Sequence, residues 1–94
     1  MRRRARVDNN HADIVAALRQ IGCSVQSLAS VGAGCPDLLV GYRGRNVLLE
    51  VKAPKGTATS DQLTWGAGWR GQAGIVRTVE EAQRVVAYSC GVSL

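Results

Sequence analysis

The sequence predicts a single α/β domain in which a mixed β-sheet is flanked by helices, its elements running α-β-β-β-α-β-α. Three observations predict it. The chain has 94 residues, enough for one core and no second module. Two apolar runs of strand length, Asp37 to Tyr42 and Val47 to Val51, flank the turn-forming Arg43-Gly44-Arg45-Asn46, so they form an antiparallel hairpin. A strand-helix-strand passage follows, which normally makes a right-handed crossover between parallel strands. Because Phe is absent and aromatic residues are only 4% of the chain, the core has to be built from Val, Leu, Ile and Ala.

In chain order, residues 1–7 form a basic arm and residues 8–94 the domain. Asp8 or Asn9 can cap the first helix. Ile14, Val15, Leu18 and Ile21 recur in it at helical spacing, and Gly22 stands at the expected C-terminal stop. Cys23 to Leu28 reads as a short strand. Val31-Gly32-Ala33-Gly34-Cys35-Pro36 is a turn by its glycines and proline, and it delivers the chain into the hairpin. Ala53 to Thr57 is a loop. Thr59 or Ser60 opens a second helix through Leu63 and Trp65 towards Trp69, weakened by Gly66 and Gly68 at about 1 kcal/mol each relative to Ala. Ile75 to Arg77 is the last strand, and Thr78-Val79-Glu80-Glu81 has the pattern of a capping box opening a final helix through Val85, Val86 and Tyr88.

Lys and Arg number 12 against 7 Asp and Glu, a formal net charge of +5 that favours a polyanionic partner, nucleic acid before a membrane surface. No membrane partner is expected, because the sequence has no basic amphipathic stretch with bulky apolar residues opposite its charges. The basic start Met1 to Arg4 is followed by Asp8-Asn9-Asn10-His11 where a signal peptide would need an apolar run, so a cytoplasmic, unprocessed protein is expected. Cys23, Cys35 and Cys90 show no C-x-x-C spacing and lie far in sequence from the single His11. That pattern argues against zinc and for free thiols packing as small hydrophobes. A domain this small has a modest core, which makes a homo-oligomer the expected state.

The chemistry lies on the hairpin. Along its second strand Val47, Leu49 and Val51 share one face, while Leu48, Glu50 and Lys52 share the other. Taken alone, Glu50 and Lys52 fit a solvated face with a weak surface pair. Asp37, however, opens the neighbouring strand at the end where Glu50 to Lys52 lie. Two carboxylates and an ammonium therefore converge. Close carboxylates repel unless one is protonated or a cation lies between them, and hard oxygen ligands favour Mg²⁺ or Mn²⁺. Metal-assisted phosphodiester hydrolysis is the chemistry that needs such a group.

Gly34-Cys35-Pro36-Asp37, then Glu50-Val51-Lys52, then Ser60-Asp61-Gln62 followed by Trp65, resemble the PD-(D/E)xK nuclease signature in its VRR-NUC form, the virus-type replication-repair nuclease. The resemblance covers nearly the whole chain and implies a restriction-endonuclease-like core. It also implies that Asp37, Glu50 and the backbone carbonyl of Val51 ligate the metal, and that Lys52 assists the attacking water. It implies further a small stand-alone nuclease of phage or bacterial type, some relatives acting as dimers on branched DNA, and a homodimer acting on four-way (Holliday) junctions is expected because two-fold subunits would present two sites to a two-fold substrate. The family's first-helix acidic residue is matched by Asp13, one methylene shorter, which fits either a water-mediated metal contact or an exposed helix residue. Ala33 stands where many relatives carry a basic residue.

Gln62 has two readings: with Thr59 it has capping-box spacing, and by resemblance it lies near the metal water or scissile phosphate. His11 is either an exposed helix-start residue or a general base. Trp65 and Trp69, at i, i+4 spacing, suit packing against the sheet, a subunit contact, or base stacking on single strands. Arg2, Arg3, Arg4, Arg6, Arg43, Arg45 and Lys55 are the candidate phosphate contacts. The expectation is thus a Mg²⁺- or Mn²⁺-dependent, structure-directed DNA endonuclease. Its alternatives are a monomeric flap or nicking nuclease, and a non-catalytic basic DNA-binding protein with a vestigial site.

Overall fold

A computed structural model describes residues 2–91, with side chains from residue 10 onward. The order is α1 (Arg2–Gln20), β1 (Ser24–Ser27), β2 (Leu38–Tyr42), β3 (Arg45–Val51), α2 (Ser60–Gly68), β4 (Ala73–Val76) and α3 (Val79–Ser89). The strands form one mixed sheet in the order β1-β2-β3-β4. β1 and β3 each run antiparallel to β2, and β4 lies parallel to β3 after the crossover through α2. The expected α/β class and element order are therefore the observed ones. No helix among the described residues is long and apolar enough to cross a membrane.

The core lies on one face of the sheet. Ile14 and Leu18 of α1, Val40 of β2, Val47 and Leu49 of β3, Val76 of β4, and Ala82 and Val86 of α3 are all fully shielded or nearly so, with Val51 packed at the margin. The alternation along β3 is the reason: its odd-numbered residues meet α1 and α3, and its even-numbered residues look the other way. Cys23 and Cys90 are buried in the same cluster and Cys35 is half-buried, all three as free thiols. Burial, and secondarily the neighbouring Cys90, pushes the Cys23 thiol upward.

Several local boundaries differ from expectation, with β1 shorter at both ends than Cys23 to Leu28 and β4 starting at Ala73, ahead of Ile75. α1 begins at Arg2, so Asp8 and Asn9 lie inside the helix; Arg and Ala are good helix formers and neither Gly nor Pro interrupts the stretch. The side chains of Arg2, Arg3, Arg4 and Arg6, named as phosphate contacts, lie outside the described residues. The hairpin turn is only Arg43-Gly44, both with positive φ (51° and 82°), the conformation whose twist matches that of paired strands; Arg45 and Asn46 belong to β3. Arg77 leaves the strand to reach across to the β3–α2 loop, where its Nε and Nη2 donate to the carbonyl of Gly56 at 3.2 and 2.9 Å. Gly22, in contrast, closes α1 as expected, with its N–H on Arg19 O and that of Cys23 on Leu18 O.

α2 packs differently from its neighbours. It buries no residue, and Leu63 is 60% exposed. Truncation of Leu49 to Ala should therefore cost about 2–5 kcal/mol, whereas Leu63→Ala should cost under about 0.5 kcal/mol, a contrast read from the midpoints of urea unfolding curves.

Candidate active site

The open end of the β2–β3 hairpin is built by register. Leu38 pairs with Leu49, which brings Asp37 level with Glu50. Asp37 Oδ2 accepts the backbone N–H of Val51 at 2.9 Å, a donor the ladder would otherwise direct to the carbonyl of Pro36, and the Asp37 carbonyl accepts the N–H of Leu28 at 2.7 Å. Leu48 and Lys52 donate their N–H groups to the β4 side, so strand geometry turns the polar groups of Val51 towards β2. There the register sets Pro36, which has no N–H to offer, and the Val51 carbonyl keeps an acceptor site at the carboxylates.

Glu50 faces away from the main core and is nevertheless only 6% exposed. The solvated-face reading of this strand therefore fails. Its Oε2 lies 3.6 Å from Lys52 Nζ and accepts from Gln62 Nε2 at 2.9 Å, while its Oε1 is buried without a partner. Burial first, then the adjacent Asp37 carboxylate, pushes the Glu50 carboxyl up to about 7 against the opposing pull of Lys52.

Gln62 makes the capping box that its spacing suggested, and it also reaches Glu50. Its Oε1 accepts the N–H of Thr59 and its own N–H donates to Thr59 Oγ1, completing a capping box, while its Nε2 holds Glu50. One side chain thus starts α2 and fixes the carboxylate. Gly34, with φ 84°, lets the loop pass against the start of α2; a Cβ there would collide with the carbonyl of Asp61.

From α1 it is Asn10, not Asp13, that reaches the site. Asn10 Nδ2 donates to the carbonyl of Lys52 at 3.1 Å. Asn10 and His11 line a cavity of about 210 Å³ with Asp37, Glu50 and Lys52. The signal was present in the sequence: Asn10 stands four residues before the buried Ile14 and shares its face, whereas Asp13 is a residue away, about 100° round the helix, and exposed. His11 is half-buried at this cavity instead of exposed. Lys55 is exposed on the loop before α2. Arg43 and Arg45 lie at the closed end of the hairpin, about 20 Å of strand from Asp37, with Arg43 over the Tyr42 ring at 5.4 Å.

The donor set suits a hard divalent cation. An orphaned carboxylate oxygen, a second carboxylate beside it and the Val51 carbonyl, which faces a proline with no N–H, are the kinds of oxygen ligand that Mg²⁺ or Mn²⁺ takes. Among the described residues no three His, Cys, Asp or Glu side chains come together to hold a metal ion, so the remaining ligands would be water and substrate oxygens. Compared with family models, with curated proteins and with solved structures, the chain matches none.

The raised Glu50 sets a pH dependence. Its carboxyl titrates near 7 in the fold and near its ordinary 4.5 when unfolded, so between these values the folded state binds the extra proton. Its contribution is fully present below pH 4.5 and is lost as pH climbs through about 7. Metal-free protein should show a melting temperature that falls across this window, and Glu50→Gln should remove that component. Above pH 7.5 added Mg²⁺ should raise the melting temperature of the parent chain and leave Glu50→Gln unmoved. An identical pH profile for the two proteins would show that Glu50 is not shifted.

Proposed function

We propose that the protein is a divalent-metal-dependent DNA endonuclease of the PD-(D/E)xK type that hydrolyses phosphodiester bonds. The observation that carries this reading is Glu50, a buried carboxylate with one unpartnered oxygen, set beside Asp37 and Lys52. Burying an acid in this state weakens a fold, and a stability role gives no reason for it. The resemblance in Gly34 to Asp37, Glu50 to Lys52 and Ser60 to Gln62 supports the same chemistry.

In this reading Asp37, Glu50 and the Val51 carbonyl hold the cation, which, when bound, lowers the pKa of a coordinated water and balances phosphate charge. The chain's own groups do the rest. Lys52 Nζ, already drawn towards Glu50, presents a cation to the phosphate and to the incoming water. Gln62 keeps Glu50 Oε2 occupied, so that Oε1 is the oxygen left for the metal. Asn10 holds the Lys52 backbone in place from α1. With a net charge of +5, the protein draws DNA through dispersed basic residues, among them Arg2, Arg3, Arg4, Arg6 and Lys55.

Branched DNA is the proposed substrate and a homodimer the proposed active form. Two subunits related by a two-fold axis would present two sites to a two-fold junction, and Tyr88, 88% exposed, supplies apolar surface for association. The chain offers little material for base-edge readout, which favours recognition of structure over sequence.

Asp37→Asn, Glu50→Gln and Lys52→Ala should each abolish Mg²⁺- or Mn²⁺-dependent cleavage of a panel of junction, flap and linear DNAs while retaining most of the binding; near-parental cleavage by these variants would remove the assignment. The dimer should make paired, symmetric incisions near a four-way junction's branch point. A monomer by light scattering, together with preference for flaps, would transfer the reading to a flap nuclease.

Deletion of Arg2 to Arg6 should weaken binding to all DNA forms alike and flatten the dependence of affinity on salt, because phosphate contacts release counterions without reading sequence. An unchanged slope would show that these arginines make no phosphate contact.

A further inference from the structure

A second cavity, of about 330 Å³, lies between α2 and the sheet and has no part in the reaction described above. Trp65 and Gly66 of α2 line one side, Ala73 and Ile75 of β4 another, and Glu50 with Gln62 close its inner end. We propose that this cavity receives an unstacked nucleobase of a DNA strand, seated against Trp65 beside the candidate phosphodiesterase site. The proposal rests on the nuclease reading for the identity of the strand, and its test separates the two.

The cavity is kept open by small residues. Register pairs Leu48 with Ala73 and Glu50 with Ile75, so these four side chains share the sheet face beneath α2. Leu48 and Ile75 are large aliphatic residues, but a helix packing for stability alone would meet another at position 73. Here Ala73 leaves the space empty. Gly66, a poor helix former, has nothing within 4 Å of where its Cβ would lie, so close packing does not demand a glycine there. The volume falls at the lower end of the range that encloses small organic ligands.

Trp65 supplies a flat surface already fixed in orientation. Its ring stacks on Trp69 with centroids 4.7 Å apart and planes 17° from parallel. Neither ring belongs to the hydrophobic core; Trp65 is half-buried and Trp69 is 46% exposed. With one face of Trp65 covered by its neighbour, the residue lines the cavity as a stacking platform of the kind that holds bases regardless of sequence.

A base fits better than an apolar side chain from a second copy. The open stacking face of Trp65 suits a planar ring, and a net charge of +5 draws a polyanionic strand while it opposes the approach of a second copy. Glu50 also lines the neighbouring cavity with Asp37 and Lys52. Because Glu50 is a wall of both cavities, a strand whose phosphate sits at the first would bring an adjoining base close to the second. Continuous duplex cannot offer that base without unstacking it, whereas branch points and single-stranded stretches can. The pocket thus supplies a preference for interrupted DNA without reading sequence.

The test uses the full chain in EDTA, so binding is observed without cleavage. Trp69→Phe leaves Trp65 as the only tryptophan emitter. A short oligothymidylate should quench its emission, and an abasic strand of equal length should not. Trp65→Leu removes the stacking surface and Ala73→Leu, at an exposed position, fills the cavity. Each should weaken binding of a labelled oligothymidylate about five- to tenfold by anisotropy, with Trp65→Phe keeping most of the affinity. Equal quenching by the abasic strand, or parental affinity in both leucine variants, overturns the proposal. So does a Trp65→Leu variant that loses self-association but binds DNA normally, since the cavity would then face a second copy. A protein that quenches as expected but cuts no DNA with Mg²⁺ or Mn²⁺ overturns the nuclease reading and leaves the pocket standing.

Discussion

Everything around the site is arranged to keep one carboxylate, that of Glu50, out of water. Burying an ionised acid costs several kcal/mol unless cations and donors compensate it. The compensation is incomplete: Lys52 is 3.6 Å away, Gln62 supplies one hydrogen bond, and Oε1 receives none. The remaining imbalance appears as a proton held up to about pH 7. Hydrophobic side chains in this place would serve stability better, so the arrangement makes sense as a position prepared for something that replaces the proton.

The same carboxylate explains why α2 can sit where it does with so little packing. A helix that buries no residue has no hydrophobic reason to dock. It is held instead by polar and steric fits: the Thr59–Gln62 capping box, the Gln62 bond to Glu50, and the close approach of Gly34 to Asp61. The loop leading to it is gripped from β4 by Arg77 on Gly56. These contacts fix the N-terminal end of α2 and leave its later turns free of the core, which is how the space beside Trp65 persists.

The sheet was legible because its signals are local and periodic. Alternation in Val47 to Val51 separated the two faces of β3, Gly22 marked the end of α1, and the hairpin alone was enough to bring Asp37 level with Glu50. Other features were hidden, for different physical reasons. The burial of Glu50 depends on what covers the far face of the sheet, and no residue near it in sequence reveals that cover. The double use of Gln62 is invisible to spacing, since capping employs Oε1 and the site employs Nε2 of one amide. The tryptophans carry the spacing of a core stripe but stack on each other, because Gly66 and Gly68 give α2 no apolar face to continue them. Asn10 is legible through helical periodicity, since it shares a face with the buried Ile14 four residues on, while Asp13 lies off that face.

Electrostatics then couple the two things the site is proposed to bind. A phosphate approaching Asp37 and Glu50 meets like charge, and in the absence of a cation it would drive Glu50 further towards its protonated form. A divalent cation held by Asp37 and Glu50 would reverse the sign of that encounter, taking the place of the proton and balancing the phosphate charge. By linkage, whatever affinity the cation adds for the phosphate, the phosphate must add for the cation. Two carboxylates and one carbonyl are a sparse ligand set for a free ion, and that sparseness is functional under the proposed reading: the site is completed only when substrate oxygens join it. Under the proposed reading, basic residues elsewhere on the chain would hold DNA through counterion release, independently of the metal, while the cluster at the end of the hairpin would cut only with cation and phosphate both in place.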